Sequence, residues 1–275
     1  MSKIKNGNKD KDTAKPLVEV SDNTEVTSEE DSYFEKVLKV CGIEEKEVLS
    51  AVKKLAKSDN PTVTVKNLFG EIIITVTATA TDNESAKKLG KPIVKEIKNI
   101  FGSNIYSTDM DVTLEQTVVE LLKANDLCIA TAESCTGGMV ASRIIDVPGA
   151  SEVFKEGFVT YSNKAKKTRL GVKKSTLAKY GAVSEQAAKE MAKGCMVNAK
   201  SNVSIATTGN AGPDPSEDKP VGLVYVSCCV CGKTKVNTYN FEGNRMEIRS
   251  KATAAALAML RMCVLEYYSE KNFSL

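Results

Sequence analysis

One stretch stands out for its chemistry. Thr131-Ala-Glu-Ser-Cys-Thr-Gly-Gly138 sets a carboxylate, a hydroxyl and a thiol side by side, ahead of two glycines. An apolar run, Leu127 to Ala132, leads into it, and a helix-compatible stretch, Met139 to Ile145, leads out. A strand turning through small hydroxyl residues into a helix suits either a phosphate or a nucleophile. The helix start offers unpaired N–H groups and a positive dipole end, and glycine lets a ligand approach the backbone. The same residues also suit an ordinary βα turn capped by hydroxyls.

The chain contains no histidine. Ser-His-Asp and Cys-His mechanisms are therefore excluded within it, as are histidine-bearing zinc sites. A hydrolase built on this chain needs lysine, tyrosine or a carboxylate as its base. Lys166 follows Tyr161 at a spacing that returns both to one pocket if a helix begins at Ser162 or Asn163, although a solvated lysine at a helix start fits the same pattern. Further on, Val203 to Thr208 reads as a strand emptying into Gly209-Asn-Ala-Gly-Pro-Asp-Pro-Ser216. Its prolines restrict the loop, and Thr208 with the neighbouring amides can face an oxyanion or phosphate. Arg245 opens the final helix, where acidic residues are normally preferred, which makes it an anion-binding candidate.

The elements that must position these groups can be read along the chain. Residues 1–31 are polar and nearly free of large apolar side chains, so they read as a disordered tail. Residues 32–108 read as a small α/β module. A short helix is expected at Phe34, Val37, Leu38 and Val40, then a second helix over Val48 to Leu55. Strands follow at Thr62–Lys66 and Glu71–Ala78, joined by the hairpin turn Asn67–Gly70. A third helix runs from Thr81-Asp-Asn83 to about Ile100, interrupted by Pro92, and a short strand closes the module at Ile105-Tyr106. Residues 109–275 form the second domain. Its strands and helices alternate from the helix over Thr113–Ala124 to the last one, which carries Ile248, Ala252, Ala256, Leu260 and Val264 inward.

Composition narrows the class. The chain of 275 residues has an apolar fraction of 42% and a net charge of only +3, without a basic block interleaved with aromatics. That argues against a dedicated nucleic-acid binder. There is no apolar run of membrane-spanning length and no apolar signal core, so the cytoplasm is the expected compartment and no membrane partner is expected. The eight cysteines are scattered. Cys229-Val-Cys231 lies in a strand pattern, where thiols act as small hydrophobes, and reduced thiols are expected rather than a metal site.

Six ordered motifs resemble one family. They are Thr131-Ala-Glu-Ser-Cys-Thr-Gly-Gly138, Val159-Thr-Tyr-Ser-Asn163 with Lys166, Gly181-Ala-Val-Ser-Glu185, Thr208-Gly-Asn-Ala-Gly-Pro213, Lys219-Pro-Val-Gly222 and Phe241-Glu-Gly-Asn-Arg245. Together they resemble the C-terminal domain of the CinA family, the PncC-type nicotinamide-nucleotide amidases. Residues 32–108 resemble the KH-type middle domain of CinA proteins, although no GxxG loop is found between Glu71 and Phe101. The N-terminal molybdopterin-binding-like domain of full-length CinA has no counterpart here, and its pyrophosphatase activity is expected to be absent.

The resemblance implies a three-layer sheet-and-helix amidase domain. It implies hydrolysis of the carboxamide of nicotinamide mononucleotide, giving nicotinic acid mononucleotide and ammonia, with no cofactor or metal and with a homodimeric state. Carried over, Ser134 is the nucleophile and Lys166 its general base. A lysine base needs a depressed pKa, from burial or a neighbouring cation. Tyr161 assists proton transfer or orients the amide. Thr208, with Gly209, Ala211 and Gly212 nearby, holds the oxyanion or the substrate. Arg245 and the amides around Thr136, Gly137 and Gly138 suit the phosphate, with Glu133 and Cys135 as supporting residues. Asn210, Asp214-Pro215-Ser216 and Glu242 depart from the family's usual residues, and the first two bear on the substrate loop. Two other readings remain: Cys135 as nucleophile, and a non-catalytic nucleotide-binding or competence-associated interaction protein.

Overall fold

A computed structural model of the chain describes residues 32–56, 59–216 and 218–272. The tail expected over residues 1–31 lies outside the described residues.

The first sheet is antiparallel. Strands β1 (Ser32–Cys41), β2 (Thr62–Leu68), β3 (Glu71–Ala80) and β4 (Ile105–Ser107) lie in the order β2-β3-β1-β4. Helices α1 (Glu45–Leu55) and α2 (Asn83–Phe101) cover one face, packing Val48, Val52, Val94, Ile97 and Phe101 on Leu38, Val40, Ile72, Ile74 and Val76. Asp82 caps α2 by accepting from the Ser85 amide at 2.8 Å, and the helix runs through Pro92 without a break. The helix expected at Phe34–Val40 is strand β1 instead, so the element order is βαββαβ. The reason is burial on both faces. Residues Val37 to Cys41 are all buried: Leu38 and Val40 face the helices, while Cys41 belongs to the core of the second sheet. Lys39 points the same way and donates to the carbonyls of Met110 and Val112 at 2.9 and 2.7 Å. A strand buried on both faces shows no polar alternation, and its run of apolar residues mimics helical spacing.

The second sheet is mixed. It contains β5 (Ile129–Glu133), β6 (Phe154–Val159), β7 (Val203–Gly209), β8 (Leu223–Val230) and β9 (Lys233–Asn240) in the order β6-β5-β7-β8-β9. β5 runs parallel to β6 and β7, whereas β8 and β9 are antiparallel additions. Helices α3 (Leu114–Lys123), α4 (Met139–Ile145) and α8 (Arg245–Asn272) cover one face around Val118, Leu122, Ile129, Ile144, Ile205, Leu257 and Leu260. Helices α5 (Asn163–Leu170), α6 (Lys174–Tyr180) and α7 (Glu185–Asn198) belong to the other side, where Leu170, Met191, Ala192 and Cys195 pack on Ala130, Ala132 and Ala206. Small strand residues on that face let α7 approach closely. Gly194 is needed where α7 meets the end of α5, since an added Cβ would meet the Leu170 carbonyl oxygen at 1.7 Å. Helices on both faces of one sheet make the expected three layers.

Charged groups join the two sheets. Arg143, near the end of α4, pairs with Glu71 of β3 at 2.7 Å and also with Glu115 of α3. Arg261 of α8 donates to the carbonyls of Ser103 and Ile105.

Candidate active site

β5 lies at the centre of the three parallel strands, and the chain leaves them on opposite faces. From β5 it passes through α4 on one side to β6. From β6 it passes through α5, α6 and α7 on the other side to β7. That reversal opens a crevice at the carboxyl ends of the strands, where α/β folds place their ligands. Ser134 follows β5, Thr160 and Tyr161 follow β6, and Thr208 and Gly209 end β7.

Ser134 and Lys166 meet at the floor of this crevice. Ser162 caps α5 by accepting from the Ala165 amide at 3.1 Å, and this start places Lys166 in the first turn, directed inward. Lys166 is 1% exposed and is among the largest fully buried side chains. Its Nζ donates to Ser134 Oγ at 2.8 Å and to the Thr160 carbonyl at 2.9 Å. The second bond ties the amine to the end of β6 and aims it at the serine. Burial of both groups keeps water away from the contact between amine and hydroxyl.

Cys135 lies next to this pair but has a different environment. It lines the same crevice but belongs to the apolar core that includes residues of α4 and α8, and burial pushes its thiol up to about 11. A thiol so protonated is a weak nucleophile at neutral pH.

The helix-start amides of α4 already have an acceptor. The Glu133 carboxylate accepts from the Thr136 hydroxyl at 2.6 Å and from the amides of Gly138, Val140 and Ala141 at 2.9, 3.1 and 2.8 Å. Burying a carboxylate is costly unless donors replace its water, and these four do so. The Thr136 hydroxyl also bonds Thr207 at 2.7 Å. Thr136, Gly137 and Gly138, expected at the substrate phosphate, therefore do not join the residues lining the crevice. An internal anion occupies the helix start.

The crevice is a cavity of about 420 Å³. Its walls include Ser134, Lys166, Tyr161, Thr208, Gly209, Ala211, Gly212 and Arg245, so most of the expected site residues converge there. Thr208 is buried and its hydroxyl donates to the Ala182 carbonyl at 2.8 Å, which holds the strand end against the Gly181–Ser184 turn. The Gly212 amide is taken by Asn210 Oδ1 at 2.9 Å. The Ala211 amide has no hydrogen-bond partner among the described residues and stands at the cavity wall. Arg245 is exposed at the rim, donating to the Gly212 carbonyl at 2.5 Å and to Tyr161 Oη at 3.1 Å. Tyr161 thus turns its hydroxyl to Arg245.

Asn210 explains one departure from the family pattern. Its amide nitrogen donates to the carbonyls of Asp214 and Lys219 at 3.1 and 3.2 Å. With the Gly212 bond, it ties Gly212, Asp214 and Lys219 together.

Arg249 is a site residue that no motif above contains. From α8 it donates through Nε to the Cys135 carbonyl at 3.0 Å and through Nη2 to the Thr136 carbonyl at 2.9 Å. Its only sequence signal is a place four residues after Arg245, on the same helix face. Among the described residues, no group of three or more His, Cys, Asp or Glu side chains is placed to hold a metal ion. No helix among them is long and apolar enough to cross a membrane.

The α/β fold agrees with what comparison with known proteins finds. The CinA C-terminal domain model matches residues 111–264, and the model of the damage-inducible protein CinA KH domain matches residues 35–107. The chain belongs to the CinA family. A Clostridium perfringens relative, provisionally named competence-damage inducible protein, is 49% identical over 229 residues, covering 82% of this chain and 55% of its own length. A Clostridium beijerinckii relative of the same name is 44% identical over 255 residues, covering 92% of this chain and 62% of its own. The chain thus spans little more than half the length of these relatives. Among solved structures, a CinA superfamily protein from Escherichia coli is 35% identical with a TM-score of 0.53, covering 60% of this chain and 97% of that one. The competence/damage inducible protein CihA from Agrobacterium tumefaciens is 38% identical with a TM-score of 0.53, covering 55% and 93%.

Proposed function

We propose that the chain hydrolyses the carboxamide of nicotinamide mononucleotide, releasing ammonia and nicotinic acid mononucleotide. The observation that carries this reading is the buried 2.8 Å contact between Lys166 Nζ and Ser134 Oγ at the floor of the cavity. In a chain without histidine, it is the arrangement suited to activating a hydroxyl.

The steps follow from the groups at the cavity. With the amine neutral, Lys166 accepts the Ser134 proton as Oγ attacks the amide carbon. The Ala211 amide, beside Thr208 and Gly209, is available to the developing oxyanion. The resulting ammonium of Lys166 returns its proton to the leaving nitrogen, and ammonia departs. An ester on Ser134 remains. Lys166 then deprotonates a water, which attacks the ester and frees the acid, restoring the Ser134 hydroxyl. Arg245, steadied by Tyr161, holds the phosphate at the rim by charge-assisted hydrogen bonds. This reading assigns the amidase to residues 109–275 and a KH-like module to 32–108, acting in the cytoplasm as a homodimer. The test is ammonia release from nicotinamide mononucleotide by the wild-type chain and by Ser134→Ala. Binding of the nucleotide without turnover would instead support a non-catalytic role.

A further inference from the structure

The turn that carries Ser134 is held by opposite charges on its two kinds of backbone group. The amides of Gly138, Val140 and Ala141 go to the Glu133 carboxylate. Its carbonyls, Cys135 and Thr136, go to the Arg249 guanidinium. The turn needs this support. Gly137 and Gly138 have φ of 62° and 100°, so the chain there leaves both strand and helix geometry.

Arginine is suited to the task in a way lysine is not. Its planar fork presents two N–H donors in fixed relation, matching two successive carbonyls. The fork is anchored, because Ile248 and Ala252 on either side of Arg249 are buried in the core and seat α8 on the sheet. Space has been left for it as well. A Cβ at Gly137 would stand 3.2 Å from Arg249 Nη2.

We propose that Arg249 is a positioning residue for the nucleophile, holding Ser134 Oγ in line with Lys166 Nζ through the Cys135 and Thr136 carbonyls. This rests on the serine–lysine reading above. Arg249 acts through the turn, whereas Arg245, one helical turn earlier, stands at the cavity rim.

The experiment compares Arg249→Ala and Arg249→Lys with the wild type in two assays. One is ammonia release from nicotinamide mononucleotide. The other is the rate at which a fluorophosphonate probe labels Ser134 without substrate. Misplacing a nucleophile by about an ångström slows reaction ~100-fold, and Arg249→Ala is expected to lower both kcat and the labelling rate by about that factor while KM changes less than ~3-fold. Arg249→Lys is expected to recover only part of the loss. Added ethylguanidinium is expected to restore the alanine variant roughly tenfold in both assays, in line with replacement of the missing fork. A labelling rate unchanged in Arg249→Ala overturns the proposal. So does a rise in KM alone, which would make Arg249 a substrate contact, or a loss that tracks a lower melting temperature and is not rescued. Wild-type protein that labels at Ser134 yet releases no ammonia overturns the substrate assignment and leaves the labelling arm to decide on Arg249. Wild-type protein that does not label overturns both.

Discussion

Lys166 reaches back from the first turn of α5 to place its Nζ 2.8 Å from Ser134 Oγ, and the Thr160 carbonyl fixes the amine from behind at 2.9 Å. Two segments, 32 residues apart in sequence, therefore define one proton-transfer line. Replacing Lys166 by Met keeps the bulk and removes the base. Lys166→Met is expected to lower ammonia release at least ~10³-fold while leaving the fold intact, and Lys166→Arg to be equally inactive because a guanidinium stays protonated. Steady-state assays with circular dichroism check this. Either variant retaining a tenth of the activity contradicts the assigned base.

Cys135 is expected to be dispensable for turnover. Its thiol is buried in the core and pushed up to about 11. Cys135→Ala should keep at least about half of kcat and lose roughly 1–2 kcal/mol of stability, from the emptied space in the core. Kinetics and denaturant melts of the variant separate the two effects. Near-complete loss of turnover with normal stability would return Cys135 to the role of nucleophile.

Arg245 and Tyr161 meet at the rim, 3.1 Å apart. Arg245→Ala is expected to raise KM for a phosphorylated substrate by roughly 10-fold or more with kcat changed only a few-fold, the signature of lost uniform binding. Tyr161→Phe removes only the hydroxyl that steadies the guanidinium, so a smaller rise, ~2–5-fold, is expected. If Tyr161→Phe lowers kcat instead, the tyrosine takes part in proton transfer.

Stability should fall at alkaline pH. Burial raises the Cys41 thiol from 9.0 to about 12 and the Cys135 thiol from 9.0 to about 11. Above the unfolded value the unfolded chain loses these protons while the folded chain keeps them, so the unfolded state gains and stability declines as pH rises. Each thiol contributes about 1.4 kcal/mol per pH unit across its window, so these two predict a loss of roughly 3–4 kcal/mol between about pH 8.5 and about pH 10.5. Urea melts at the two values measure it. A flat profile would show that the thiols are not held protonated.

The site was more legible in the sequence than the first sheet was. Ser134 follows a strand, Thr208 lies near the end of one, and Lys166 and Arg245 lie in the first turns of helices, positions marked by capping and turn residues. Strand β1 was hidden because Val37 to Cys41 are buried on both faces, so the period of two disappears. Arg249 was hidden for another reason: its partners are backbone carbonyls, which carry no side-chain signature. Glu133 was read as a supporting residue beside the nucleophile, and what it neutralises is the start of α4, where it takes the Gly138, Val140 and Ala141 amides. Hydroxyls and glycines at a helix start announce an anion, and here the anion is internal.

The most direct test is stoichiometric. Wild-type protein incubated with nicotinamide mononucleotide should release ammonia and nicotinic acid mononucleotide one for one, and Ser134→Ala, correctly folded, should release neither above background. Ammonia release by Ser134→Ala at the wild-type rate, or no release by the wild type, would contradict the account.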